Sequence, residues 1–477
     1  MLLRLFSIVL IAGSLAQEPG APPTPEPLRR PFDVTHYSAR VEPDISGKTI
    51  KGVVVVRLTV TAENQRSIAL DSGDLTVDAV REAGAAVDFD TRDRHLTIRW
   101  PDPARVNETR EIEVAYHGAP RFGLQFSADR SQVYTVYSTS QWMVCVDAPD
   151  DRATITLSVV LPAGLAMVAN GTPVGRRALA NGTVAHEWRQ DRPMPSYTFG
   201  FAAGRFTDVT ETRGRRRLRY LGPAFSRAEL RRIFTDSADM MRFFEDRAGT
   251  PYSHATYTQA LVVDTVGQEM SGFSLMSEDY GRTVLGDPHA ESLVAHELAH
   301  QWWGNSITCR AWTHMWLNEG FATFMAAAYM EQRFGREEYL RIVAGWRSRY
   351  ETIRDAGHDR SLVFPDWNRP TADDRALVYQ KGALVLHRLR ETLGERAFWA
   401  GVRDYTRTHA GTSVTTAEFQ QAMERATATD LSEFFSTWVY LERSRVIERV
   451  DRQTGKPRHS LTEHDVVEPH RVGTAWR

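Results

Sequence analysis

The stretch VAHELAH, residues 294–300, places His296, Glu297 and His300 within a run that reads as helix. On a helix, positions 296 and 300 lie one turn apart on the same face, so both imidazoles can reach one metal ion. Glu297 is displaced around the axis, where its carboxylate can address a metal-bound water without becoming a ligand. The same letters also suit an ordinary helix that happens to hold two histidines. What surrounds them must decide.

Nineteen positions after His300, in WTHMWLNEGFATFMAAAYMEQRFG, Glu319 opens a helix whose apolar positions favour packing against a neighbour. That helix is a reasonable way to deliver a third ligand. Two histidines, one carboxylate and one water complete a tetrahedral catalytic zinc site. The bland alternative is a carboxylate that merely sits against the free amides of a helix start.

A chain of 477 residues is long for one domain and suggests two or three. With 58 basic and 60 acidic residues the formal charge is -2, which offers no electrostatic case for nucleic acid or an anionic membrane. The basic run Arg213 to Arg219 reads as a solvated edge or turn. Cys145 and Cys309 are too few for a disulfide framework and read as buried thiols.

Residues 1–16 carry a short apolar run followed by small residues, the pattern of a cleaved secretory signal, and 17–30 form a Pro-rich leader. The expected location is periplasmic or extracellular, with no stable membrane insertion after cleavage. From 31 to 207, alternating and β-branched stretches such as THYSARVEP, GVVVVRLTVTA and HLTIRW predict an antiparallel sandwich or saddle-shaped sheet. From 208 to 445 helical periods dominate, at 288–303, 319–334, 336–352 and 377–409. Two short helices follow, with expected capping boxes at Thr415 with Glu418 and at Asp430 with Glu433. Residues 446–477 read as a polar tail. The predicted fold is multidomain β plus α, a β domain followed by a mainly helical one.

The segments HELAHQWWGN, WLNEGFA and VYQKGALVLHRL, in that order, resemble the gluzincin aminopeptidases of family M1, which also includes leukotriene A4 hydrolase. The likeness extends into the β-rich half through DVTHYSARVEPD and CVDAPDDRATITLSVVLP. It implies a thermolysin-like catalytic domain that removes residues one at a time from peptide amino termini. Carried across by motif, it implies one zinc ion held by His296, His300 and Glu319, with Glu297 as general base and Tyr379 as donor to the oxyanion. Lys381 in the same element is expected to support the fold. The segment VGQEMSGFSLM falls where relatives carry the exopeptidase signature GAMEN, which puts Gly267, Gln268 and Glu269 at the substrate amino terminus and Gly272 on a later motif glycine. Glu269 would pair with the free ammonium of the substrate.

The chain departs from that pattern in two places. Gln268 stands where the motif has methionine, and Met270 where it has asparagine. Relatives also place a glutamine of the β domain near the site, for which Gln132 and Gln141 are the candidates. Many relatives continue into a large helical carboxy-terminal domain, whereas this sequence ends soon after LSEFFSTWVY, which implies a more open cleft or one completed by a partner or the tail. The expected partners are peptides with a free amino terminus, and oligomeric state is open. Three readings stand at this point: a zinc aminopeptidase, a zinc endopeptidase acting on amino-blocked peptides, and a non-catalytic peptide-binding protein on the same fold.

Overall fold

Along Phe32–Asp44 and Thr49–Val60 nearly every second side chain is buried, as a sheet with one wet face requires. The computed structural model describes residues 30–214, 216–264, 267–363 and 370–441. The signal at 1–16, the leader up to residue 29 and the tail at 446–477 lie outside the described residues. Eight strands join into one sheet whose edges are Thr172–Ala178 and Ala85–Ala86, with Phe32–Asp44 between Arg152–Pro162 and Thr49–Val60. One pairing differs from the antiparallel expectation: Phe32–Asp44 runs parallel to Arg152–Pro162. Parallel neighbours need a long crossover, and the strands between them in sequence supply it. Smaller sheets of three and four strands complete this domain.

The second half opens on a five-stranded mixed sheet in the order Thr207–Arg213, Arg216–Gly222, Thr256–Val262, Phe273–Ser277, Gly267–Gln268. Its two faces serve different cores. Leu221, Ala260, Val262, Phe273 and Leu275 pack into the apolar core of the β domain, whereas Leu218, Tyr220, Tyr257, Leu261 and Met276 pack into that of the helices. The strands Thr256–Val262 and Phe273–Ser277 are buried on both sides, so they lack the alternation that marks a half-exposed strand.

Helices α1 (Arg227–Ile233) and α2 (Ser237–Ala248) follow the hairpin, α1 starting on a capping box of Ser226 and Glu229 and α2 ending at left-handed Gly249. Next come α3 (Glu278–Gly286), α4 (Ser292–Ala299), α5 (Trp316–Phe334) and α6 (Arg336–Asp355). The helical run expected at 377–409 is divided. A short α7 (Ala372–Ala376) leads into a π-helical turn, Leu377–Lys381, then α8 (Gly382–Leu393) and, beyond Gly394, α9 (Glu395–His409). The capping box of Thr415 and Glu418 begins α10 (Thr416–Thr427). At α11 (Ser432–Phe435) the expected box is absent: Asp430 Oδ1 accepts the Ser432 N–H at 2.9 Å instead.

The basic run lies on the hairpin as expected, with Arg216 paired to Glu245 at 3.0 Å and Arg219 to Asp208 at 2.8 Å. Cys145 and Cys309 are free and buried. No helix among the described residues is long and apolar enough to cross a membrane.

Candidate active site

Helix α4 carries His296 and Glu297 and ends at His300, and it packs against α5, which carries Glu319. Glu319 does not open α5. The helix begins three residues earlier because Trp316 is buried and its indole N–H donates to Thr416 Oγ1 at 2.9 Å, anchoring the first turn.

The Nε2 atoms of His296 and His300 face each other at 3.0 Å, and Glu319 Oε2 lies 3.3 Å from each. Donors about 2.0–2.1 Å from a tetrahedral zinc ion are separated by about 3.3 Å, so this triangle has the size of one face of such a site. Two imidazole nitrogens and a carboxylate oxygen are also the donor chemistry zinc prefers. His300 Nδ1 lies 3.0 Å from the carbonyl oxygen of Trp303. Donation to that carbonyl leaves the Nε2 lone pair pointing inward. His296 Nδ1 lies 3.5 Å from Thr323 Oγ1, one turn after Glu319 on α5. The histidines thus have outer partners, Thr323 on α5 for His296 and Trp303 just after α4 for His300. His314 is not one of them. It is buried against α10, where Nδ1 lies 3.0 Å from Thr416 Oγ1, and burial lowers its pKa to about 4.

Glu269, Glu297 and Glu319 are all buried. Burial raises the pKa of Glu297 well above the carboxylate range, His300 opposes the rise, and the charges of Glu269 and Glu319 add to it. Glu269 is raised by burial as well. Glu319 is driven the other way, since His300 and His296 together outweigh its desolvation. Oxygen atoms of Glu269 and Glu297 and a nitrogen of His300 all lie within 4.8 Å of one another. Three crowded acids call for cationic company.

Two side chains from the loop after α4 fix the segment that carries Glu269. Asn305 Nδ2 donates to the Glu269 carbonyl at 3.1 Å, and Gln301 donates to the Met270 carbonyl at 3.0 Å while accepting from the Gly272 N–H at 3.0 Å. Gly272 has φ +89°, a left-handed conformation suited to glycine. It shapes the backbone and does not line the cavity. Met270 is buried in the β-domain core, where an asparagine would need polar partners.

Tyr379 sits in the π-helical turn, with its ring parallel to that of His296, interplanar angle 8° and centroids 6.0 Å apart. Burial raises its pKa first, and Glu319 and Glu269 raise it further, so the phenol holds its proton. Lys381, two residues on, donates to Asp359 at 2.8 Å and to the Arg360 carbonyl at 2.9 Å, which braces the loop before α7.

His296, Glu297, His300, Glu319, Thr323, Glu269 and Tyr379 all face a cavity of about 900 Å³. Gln268 lines it too, and so does Gly267. Gln132 and Gln141 do not. Gln132 accepts the Val263 N–H at 2.7 Å from within the core, and Gln141 is buried in the turn Thr139–Gln141, so neither side chain reaches the cavity. The β domain reaches the cavity through Tyr137, Ser138, Asp147 and Tyr197 instead. The Tyr197 phenol donates to the Gly304 carbonyl at 2.7 Å and accepts from Asn318 Nδ2 at 3.2 Å, tying the loop after α4 to the start of α5. Sequence reasoning missed Tyr137, Tyr197 and Thr323. Only Thr323, at i+4 from Glu319, carried a readable signal.

Residues 33–198 match the Peptidase M1 N-terminal domain and residues 234–438 the Peptidase family M1 domain. Leucine aminopeptidase 2 of Aspergillus niger is 25% identical over 488 aligned positions, covering 93% of this chain and 74% of that protein. Aminopeptidase M1 of Arabidopsis thaliana is 23% identical, covering 84% and 49%. Among solved structures, the M1 zinc metallopeptidase of Deinococcus radiodurans superposes with a TM-score of 0.73 at 25% identity, covering 86% of this chain and 94% of that one. A mutant of that enzyme bound to a Tyr-Ser-Ala substrate gives 0.73 at 26% identity, with the same coverage of 86% and 94%. Native yeast LTA4 hydrolase shares the fold, with a TM-score of 0.73 at 22% identity over 86% and 68% of the two chains. With both of its domains matched in order, the chain belongs to peptidase family M1, a family of zinc metallopeptidases.

Proposed function

We propose that the protein is an aminopeptidase that binds one zinc ion through His296, His300 and Glu319 and hydrolyses the first peptide bond of substrates with a free amino terminus. The observation that carries this reading is the closeness of Glu269 to Glu297, within 4.8 Å beside His300. In an amino-terminal residue the ammonium nitrogen is two bonds from the carbonyl carbon to be attacked, about 2.5 Å away from ordinary bond lengths and angle. An anionic anchor that close to the hydrolytic carboxylate leaves no room for a preceding residue, and an acetylated amine brings it no charge. This favours exopeptidase over endopeptidase action.

Zinc, when bound, would polarise the attacking water and the scissile carbonyl. Glu297, buried and with Oε2 lacking a hydrogen-bond partner among the described residues, would accept the water proton and pass it to the departing amine. Tyr379 would donate its phenolic proton in a hydrogen bond to the carbonyl oxygen as charge builds there. Glu269 would hold the ammonium and so set the register. The α4–α5 packing keeps the ligand set rigid while the cavity stays open to peptide.

The test compares a short peptide with its amino-acetylated form by mass spectrometry, on the wild type and on Glu297→Gln and Glu269→Ala. Stepwise loss from the free peptide alone is expected, abolished in the first variant and strongly reduced in the second. Internal cleavage of the acetylated peptide would overturn the reading. Export is also proposed, supported by the signal-like residues 1–16; an intact mass that still includes them in the mature protein would refute it.

A further inference from the structure

Tyr137 belongs to the β domain and immediately precedes Ser138 and the turn Thr139–Gln141. Its φ is +57°, a left-handed conformation that a non-glycine residue keeps only where its surroundings hold it. The hold comes from the other domain. The Tyr137 backbone N–H donates to Gln268 Oε1 at 2.7 Å, and the same amide donates through Nε2 to Glu269 Oε2 at 2.7 Å. Gln268 is 1% exposed, so its bond to Glu269 is buried, while its bond to Tyr137 is partly so.

The chemistry of the two partners fixes which way the amide points: the N–H needs an acceptor and the carboxylate needs a donor. No thioether or aliphatic side chain at this position could bridge them. A carboxylate could serve the Tyr137 N–H but would set a second anion against Glu269. The stretch after Tyr137 is secured in turn from within the β domain, through Ser140 N–H to Asp147 Oδ2 at 3.1 Å and Asp147 N–H to Asp71 Oδ2 at 2.8 Å. The Tyr137 ring, 60% exposed, is left lining the cavity beside Glu269.

We propose that Gln268 is a positioning residue that locks the carboxylate of Glu269 and the aromatic wall of Tyr137 into one hydrogen-bonded unit, so that the first residue of the substrate is gripped jointly by both domains. This deepens the aminopeptidase reading and rests on it. Glu269 receives the ammonium, and the ring of Tyr137 offers a face to the side chain beside it. The preferred first residue is therefore apolar or aromatic.

Competition by L-phenylalaninol and by its des-amino analogue 3-phenylpropan-1-ol separates the two halves of that unit. The wild type is expected to prefer the amine by at least about tenfold, the scale of a charge-assisted bond. Gln268→Met should cut that preference about tenfold and also weaken the des-amino alcohol, because the Tyr137 N–H loses its acceptor along with Glu269 losing its donor, with zinc content unchanged. Tyr137→Ala should instead weaken both ligands alike and preserve their ratio. If Gln268→Met keeps the wild-type ratio, Gln268 positions nothing. If it instead weakens both alcohols equally, its role is general packing and the proposal also fails. A wild type that does not prefer the amine would fell the Glu269 anchor itself, a distinct outcome. Should Gln268→Met not fold, Gln268→Glu provides the same test, keeping the acceptor for Tyr137 and reversing the contact with Glu269.

Discussion

The rings of Tyr379 and His296 lie parallel, 8° from coplanar orientation with centroids 6.0 Å apart. Phenylalanine in place of Tyr379 preserves that arrangement and removes only the phenolic donor. Tyr379→Phe should lower kcat by about 10²–10³-fold, as loss of one preorganised oxyanion donor does elsewhere. Zinc content and melting temperature should match the wild type, measured by metal analysis and thermal unfolding. A variant with full kcat would remove Tyr379 from the chemistry.

Gly304 stands behind His300. Its φ is +137°, and a Cβ there would lie 2.7 Å from His300 Nδ1, the atom held by the Trp303 carbonyl. Gly304→Ala should therefore tilt the imidazole and weaken zinc binding by about 10–100-fold, the usual consequence of disturbing a ligand's outer partner. Chelator competition reads this directly, and hydrolysis should recover in excess zinc.

Metal removal has a stability signature. In the zinc-free protein the buried, raised carboxyl of Glu297 resists ionisation, so its contribution to stability is present at low pH and is lost as pH rises through its folded pKa. Chelation should lower the melting temperature, and zinc should restore it by mass action. Glu297→Gln should abolish hydrolysis yet raise the melting temperature of the chelated protein at neutral pH. Equal melting of the two chelated proteins would contradict this account.

Glu291, at the start of α4, provides a separate pH probe. Burial, then Asp236, raises its pKa from 4.5 to about 8, with Arg333 opposing. The folded state thus holds a proton that the unfolded chain gives up, and stability should fall between about pH 4.5 and 8, by at most about 1.4 kcal/mol per pH unit. Glu291→Gln should flatten that part of the profile, as measured by urea unfolding across the window.

Much of this arrangement was legible because it depends on spacing. Helical periodicity alone places His296 and His300 on one face, and α4 and α5 bring Glu319 to them. The alternation of the β domain is equally direct in Phe32–Asp44. Other features were hidden for physical reasons. The strand Phe273–Ser277 is covered on both faces and shows no period of two. The break at Gly394 falls within an apolar helical period that continues on both sides. The glutamines Gln132 and Gln141 looked available by residue type, and only the fold shows that the first is already engaged and the second enclosed. Tyr137 was invisible because its relevance comes from a backbone N–H and a left-handed φ.

The five-stranded sheet between the domains faces two cores at once, with Ala260 and Val262 turned to one and Leu261 to the other. Its two sides cannot be inherited separately. A graft joining the β half of one relative to the helical half of another would mismatch side-chain volumes across this seam, even with every hydrolytic group retained. Accepted changes at Ala260, Val262, Phe273 and Leu275 should therefore be accompanied by compensating changes in the β domain, making the pair of domains the unit on which selection acts.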